Sequence, residues 1–383
     1  MKKRRAKLLS MMLVAAMGVT LMAGCGSSSD EGTGEAASAA SSSEENSAAS
    51  GEVMSNEEII RKASEEGKIS NWGLGNEYEV LALLAKYDLP TEFLSEDYTM
   101  DAFDDDSSTL ASAMTYNELG LVINDYEGGY GYGDTVGYID MNDEGVAMLE
   151  DNIFCTREFA EQNPETVKAF LYASIRGWEY AVENPEEAAE IVYEAGSSVS
   201  QDHQNYMATE VAKLVNTDMD GNTVTEIGKI DDDAMQQTLD IAKQYVTLDD
   251  SAAQEAFSAL TLDDVRDSSY YDEAMASDGQ FDVEQSEVSI QLKWLPQAQF
   301  MGYYVADALG YYDEVGLTVN IVSGGGDISE TTAVNNGTVD FGVTWPTNMA
   351  VANAGGMDLV EVAQIYQRSG LTLVYKLDNF RAE

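Results

Sequence analysis

The sequence predicts an α/β chain of two lobes, on three observations. Residues 288–376 alternate strand and helix patterns, residues 68–155 repeat the style, and residues 158–275 between them are largely helical. Alternation at this pitch argues for βαβ units and mainly parallel sheets flanked by helices. About 330 residues follow a polar N-terminal stretch, enough for two lobes with their own cores.

The elements follow in order. Lys2, Lys3, Arg4, Arg5 and Lys7 precede an apolar run at 8–23 that is short for a membrane span. The run ends in Leu21-Met-Ala-Gly-Cys25, which resembles a bacterial lipobox, with Met22 where leucine is more usual. Residues 1–24 therefore read as a lipoprotein signal peptide. Cys25 reads as an acylated N-terminus that anchors the protein to the cell membrane on its extracytoplasmic face. Residues 25–52 are a Ser/Ala/Glu tether with almost nothing to bury.

Residues 53–157 form an α/β lobe, with strands expected at 68–72, 110–116, 136–140 and 146–154 and helices at 77–87 and from 98. In the helical segment 158–275, an apolar stripe runs through Val167, Phe170, Leu171, Ile175 and Trp178, and Pro185 opens the next helix. Residues 276–287 are a joining linker. Residues 288–383 form the other α/β lobe, with strands at 288–294, 317–322, 339–345, 359–365 and 371–375 and helices at 297–309, 329–336 and 347–354.

Composition excludes several partners. The chain has 69 acidic against 20 basic residues, and five of the basic ones lie in the signal. Such a surface repels nucleic acid and anionic lipid, and it suits an amine-bearing ligand. With Cys25 acylated, Cys155 has no disulfide partner. A single histidine, His203, and two cysteines leave no metal cluster of the usual kind, and no cofactor is expected.

Ligands of open α/β sheets bind beyond the carboxyl ends of the strands. Trp72, Trp294 and Trp345 fall at predicted strand ends, whereas Trp178 lies mid-helix and reads as core. Met114-Thr-Tyr-Asn-Glu118 also ends a strand, offering Tyr116, Asn117 and Glu118. Aromatic faces with a carboxylate and an amide suit a planar heterocycle bearing an amino group. Gln297 and Gln299 open a helix and could be exposed there. Gly324-Gly-Gly-Asp327 reads as a tight turn, residues 124–134 as a Gly/Tyr connector, and the aspartate triplets at 104–106 and 231–233 as solvated charge.

The stretches LKWLPQAQFMGYYVADALGYYDEVGLTVNIVSGGGDI, NNGTVDFGVTWP, NWGLGNEYEVLALLAKYDL, ASAMTYNELGLV and NDEGVAMLEDNIF closely resemble solute-binding proteins of ABC importers. The group is the one related to the binders of thiamine pyrimidine precursors, which share a fold with a eukaryotic pyrimidine synthase. The resemblance implies a two-lobed, type II periplasmic-binding-protein-like fold, acting as a monomer with permease subunits as partners. It places Trp294, Gln297, Tyr303, Thr344 and Trp345 on one wall of the cleft. Trp72, Asn76, Tyr116, Asn117 and Glu118 fall on the other.

An aminopyrimidine precursor of thiamine is the ligand the resemblance favours. Riboflavin is the near alternative, and sulfonates or nitrate the remoter ones, since Lys293 is nearly alone as a cation there. An enzyme like the synthase would need histidine and cysteine in the cleft, and His203 is expected away from the strand ends. One departure stands out: the LKWLPQAQF block, first in the family, comes last here, as in a circular permutant. The new ends fall between 375 and 68, expected at an interlobe crossing, so that one crossover is lost and the hinge loosened.

Overall fold

A computed structural model describes residues 51–197 and 199–382. The signal, Cys25 and the tether up to residue 50 lie outside the described residues. Ten strands form two five-stranded sheets. They are β1 (Ile69–Asn71), β2 (Leu94–Ser95), β3 (Leu110–Met114), β4 (Val136–Asp140), β5 (Asn152–Thr156), β6 (Glu287–Gln291), β7 (Thr318–Val322), β8 (Phe341–Gly342), β9 (Leu359–Gln364) and β10 (Leu371–Lys376). One sheet has the order β2-β1-β3-β10-β4 and the other β7-β6-β8-β5-β9, both within the compact unit Ala49–Glu383. Helices flank both sheets, the two-lobed α/β arrangement that the sequence predicts.

Each sheet is mixed, with four strands running one way and a single strand reversed. In the first, β1 pairs parallel with β2 and β3, while β10 runs antiparallel to β3 and β4. The second repeats the plan, with β6 parallel to β7 and β8, and β5 antiparallel to β8 and β9. The antiparallel strands are those that arrive from the other lobe. A parallel neighbour needs a long helical crossover within its own lobe, and a strand entering through a short interlobe link is free of that constraint. Segments 53–157 and 288–383 thus each lend a strand, β5 and β10, to the other's sheet.

Two links carry the chain between sheets, residues 141–151 after β4 and residues 365–370 after β9. Residues 146–151, expected as strand, are irregular because they make this passage. The backbone N–H groups of Ile365 and Tyr366 both donate to the Asp151 carbonyl, each at 3.1 Å. Gln364 donates its side-chain amide to the carbonyls of Glu150 and Asp151. The Glu150 carboxylate accepts from Gly370 N–H at 2.8 Å and the Ser369 hydroxyl at 3.2 Å. The two links are bound into one joint.

Helix Pro164–Glu183 buries its predicted stripe, Trp178 included. It crosses helix Met301–Ala308 at two glycines, close enough that a Cβ on Gly177 would lie 2.1 Å from the Gly302 carbonyl oxygen. The linker at 276–287 is anchored to the same helix: Glu284 accepts from the backbone N–H of Thr166 at 2.9 Å and of Glu165 at 3.2 Å, satisfying donors that the first turn leaves free. Cys155 is a buried free thiol in β5. Of the aspartate triplets, Asp231 caps helix Asp232–Tyr245 and Asp106 pairs with Lys376.

The two ends of the folded unit meet. Val53 bridges Arg381, Met54 N–H donates to the Phe380 carbonyl at 2.9 Å, and Ala382 N–H donates to the Glu52 carbonyl at 2.9 Å. Helix Asn56–Glu66, closed at its start by a Ser55–Glu58 capping box, follows directly. Both ends lie in the first lobe, one after β10 and the other before β1. The crossing at 365–370 is intact, so the place of these ends gives no reason for a looser hinge. Moving residues 288–382 ahead of residue 53, with Ala382 joined to Val53 by a short linker, should leave the melting temperature within a few degrees; failure to fold cooperatively would contradict the adjacency of the ends.

Candidate functional site

A cleft between the sheets holds a cavity of about 170 Å³. Its walls are the loops that leave β1, β3, β6 and β8. After β1, the Asn71 side chain accepts from Gly73 N–H at 2.6 Å and donates to the Ser112 hydroxyl at 2.8 Å. The chain then turns through Gly73, Leu74 and Gly75, all with positive φ, which sets Trp72 on the cavity wall. Leu74 in this conformation is strained, since a β-carbon disfavours it.

After β3 the chain turns sharply into helix Glu118–Ile123. Glu118 accepts from Met114 N–H at 2.9 Å and from the Asn117 side-chain amide at 2.8 Å. Its carboxyl is buried, and desolvation raises its pKa. Tyr116 faces the cavity and meets Tyr366 edge-on, with ring centroids 5.8 Å apart.

The second wall comes from the loops after β6 and β8. Strand pairing in β6 stops at Gln291 and in β8 at Gly342, shorter than predicted, because the chain peels away to shape the cleft. Trp345 donates its indole N–H to Asp151 Oδ1 at 2.9 Å. Gln299 donates to Asp151 Oδ2 at 2.8 Å, and Gln297 donates to Gln299 Oε1 at 2.9 Å. Both glutamines are buried, because each amide is taken up in this network. Lys293 lies 4.4 Å over the Trp345 ring and 3.4 Å from Glu330. The lobes touch at the mouth, where Tyr98 meets the edge of Trp294 at 5.1 Å and Asn348 donates to the Leu74 carbonyl at 3.1 Å.

Of the residues expected in the cleft, the cavity brings together Trp72, Tyr116, Asn117, Glu118, Trp294, Gln297 and Trp345. Three others stand elsewhere. Tyr303 is in the core, edge-on to Trp178 at 5.5 Å, because its helix turns that face inward. Thr344 is buried behind the wall with its hydroxyl on Glu330. Asn76 lies under the Trp72 loop beside Asn71. Leu74, Tyr98 and Gln299 complete the lining together with Lys293 and Met114. Tyr98 lies three residues past β2, a two-residue strand too short for any period to mark, so it carried no local signal.

His203 corrects a second expectation. Its Nε2 lies 2.8 Å from Asn117 Oδ1, immediately behind the cavity. Helix Gln201–Asn216 packs across helix Glu118–Ile123, where Gly120 leaves room for Tyr206. Both imidazole nitrogens are hydrogen-bonded and the ring is buried. Its surroundings are those of a structural side chain.

Aromatic faces, an amide–carboxylate edge and a lone lysine suit the capture of a flat ring bearing hydrogen-bond donors. The family model described as NMT1/THI5 like matches residues 97–188 and 297–380. That family includes solute-binding proteins of ABC transporters. The matched stretches contain Asn117, Glu118, Asp151, Gln297, Gln299 and Trp345, while Trp72, Lys293 and Trp294 fall outside them. No curated protein matches the chain.

Burial has a consequence for pH. Desolvation pushes Asp151 up to about 7 and both Glu150 and Glu361 up to about 8, and it raises Glu79 as well. A carboxyl whose pKa is raised on folding binds its proton more tightly in the folded state. Its stabilisation is full below the unfolded value near 4 and is lost as pH rises through the folded value. The melting temperature at fixed ionic strength should therefore fall from about pH 4 to about pH 8. Glu150→Gln should reduce that loss by at least about 1.4 kcal/mol, the worth of one pKa unit. A curve that rises over this window, or one that Glu150→Gln leaves unchanged, would contradict the assignment.

Proposed function

We propose that this chain is the extracytoplasmic receptor of an ABC importer, binding a small planar heterocycle by closure of its two lobes. Anchored by lipid at Cys25 and acting as a monomer, it would hand the ligand to permease subunits. The observation that carries the reading is the cavity itself, with three indoles around it and the Asn117–Glu118 edge on one side. No covalent step is required of these residues, only hinge motion about the joint between links.

Size favours one ring. A cavity of about 150 Å³ takes a benzene, so about 170 Å³ suits a six-membered ring with small substituents. An aminopyrimidine of the thiamine-precursor kind is the ligand we assign. Riboflavin, with three fused rings, would need a wider cleft, and an anion would meet the Glu118 carboxyl with Lys293 as the one cation in the lining.

We also infer that the chain is a circular permutant of the order its resemblance implies. Support comes from the paired ends at Val53 and Arg381 and from the ordered joint at 276–287, which replaces the ends of the unpermuted chain.

A thermal-shift screen on protein lacking residues 1–51 tests the function. An aminopyrimidine at about 100 times its Kd should add about 2.7 kcal/mol of stability, and Glu118→Ala or Trp345→Ala should cut the affinity by tenfold or more, about 1.4 kcal/mol. Flavins or anions shifting the melting temperature while aminopyrimidines do not would overturn the ligand assignment.

A further inference from the structure

The only histidine of the chain closes a file of side chains that begins in the cleft. Glu118 accepts from Asn117 Nδ2 at 2.8 Å, which turns the Asn117 amide oxygen the other way, 2.8 Å from His203 Nε2. An amide oxygen only accepts, so His203 carries its proton on Nε2. Nδ1 is then an acceptor, and the Tyr126 hydroxyl, 2.6 Å away, donates to it. The acceptor-only carboxylate at one end fixes every direction from Tyr126 through His203 and Asn117 to Glu118. Burial lowers the His203 pKa to about 4, which keeps the imidazole neutral as this arrangement requires.

The helix that carries His203 holds the same turn at a second point. Tyr206 stacks parallel to the imidazole, with centroids 6.3 Å apart, and donates its hydroxyl to the Thr115 carbonyl at 2.7 Å. Glu118 orients the Asn117 amide only while the two remain in contact. His203 holds the amide there from the opposite side.

We infer that His203 is a positioning residue that sets ligand specificity by locking the Asn117 amide, so that a donor from Asn117 stands beside an acceptor from Glu118 in the cleft. The matching edge on a ligand carries an acceptor beside a donor, such as a ring nitrogen next to an exocyclic amine. A released amide would turn its oxygen toward the cleft, and two neighbouring acceptors would reject that edge. The inference rests on the proposed function, for which Asn117 and Glu118 both line the cavity.

Two measurements test it. Nitrogen NMR of untagged protein reads one imidazole, free of overlap. The expected spectrum is the neutral Nε2–H tautomer from pH 8 down to about 5, perturbed in Asn117→Ala. A proton on Nδ1, or titration near the ordinary histidine value, would overturn the lock. Calorimetry then compares a hydroxymethyl aminopyrimidine with its analogue lacking the amine. Wild type should prefer the amine by about tenfold or more. His203→Phe should reduce the preference to about twofold with the analogue's affinity unchanged, and His203→Gln, whose amide N–H can reach Asn117, should restore most of it. Equal losses for both ligands, or an unchanged preference in His203→Phe, would refute a positioning role. If wild type binds neither pyrimidine, the proposed function fails, and the imidazole spectrum alone decides the lock.

Discussion

The backbone carbonyl of Asp151 receives two N–H groups, from Ile365 and Tyr366, at the point where both links pass between the sheets. Most other features of the molecule depend on this joint. The side chain of the same residue lies behind the cleft wall, where its two oxygens hold Gln299 and the indole of Trp345, both of which line the cavity. A single residue thus ties one link to the other through its backbone and shapes the binding wall through its side chain. Burying that carboxyl is costly unless its lone pairs are satisfied, and here each oxygen has its partner. Glu150 adds a second tie, although one of its oxygens has no partner among the described residues.

The joint also stands apart from the ends of the folded unit. Each sheet needs one strand from the other lobe, and both links that deliver those strands are present. The ends meet at Val53 and Arg381, away from those links and within one lobe. Connections remote from the joint can be cut and rejoined with modest consequence, because the contacts that stabilise the core do not pass through them.

Much of this was legible in the sequence. Alternating patterns located nearly all the strands, since a half-buried sheet imposes a period of two and its flanking helices a period near 3.6. The three indoles at strand ends were found by the same logic, and so was the Asn117–Glu118 pair. Periodicity identifies a strand but not its sheet, which is why the exchange of β5 and β10, and with it the mixed pairing, was invisible. Tyr303 was misplaced because a motif fixes a residue's neighbourhood and not the face its helix presents. His203 stands 86 positions from Asn117 in the chain, and only the packing of two helices brings them within 2.8 Å. The burial of Gln299 was hidden for a similar reason, as its partner Asp151 lies in a link that the local pattern marked as strand.

The claim that the two links form one joint bears on everything else, and native-state hydrogen exchange tests it most directly. The amides of Ile365 and Tyr366 should exchange only through global unfolding, with protection equal to the full stability of the fold, in the presence or absence of ligand. Exchange at these two positions through a low-energy local opening, as fast as at the chain ends, would contradict the account.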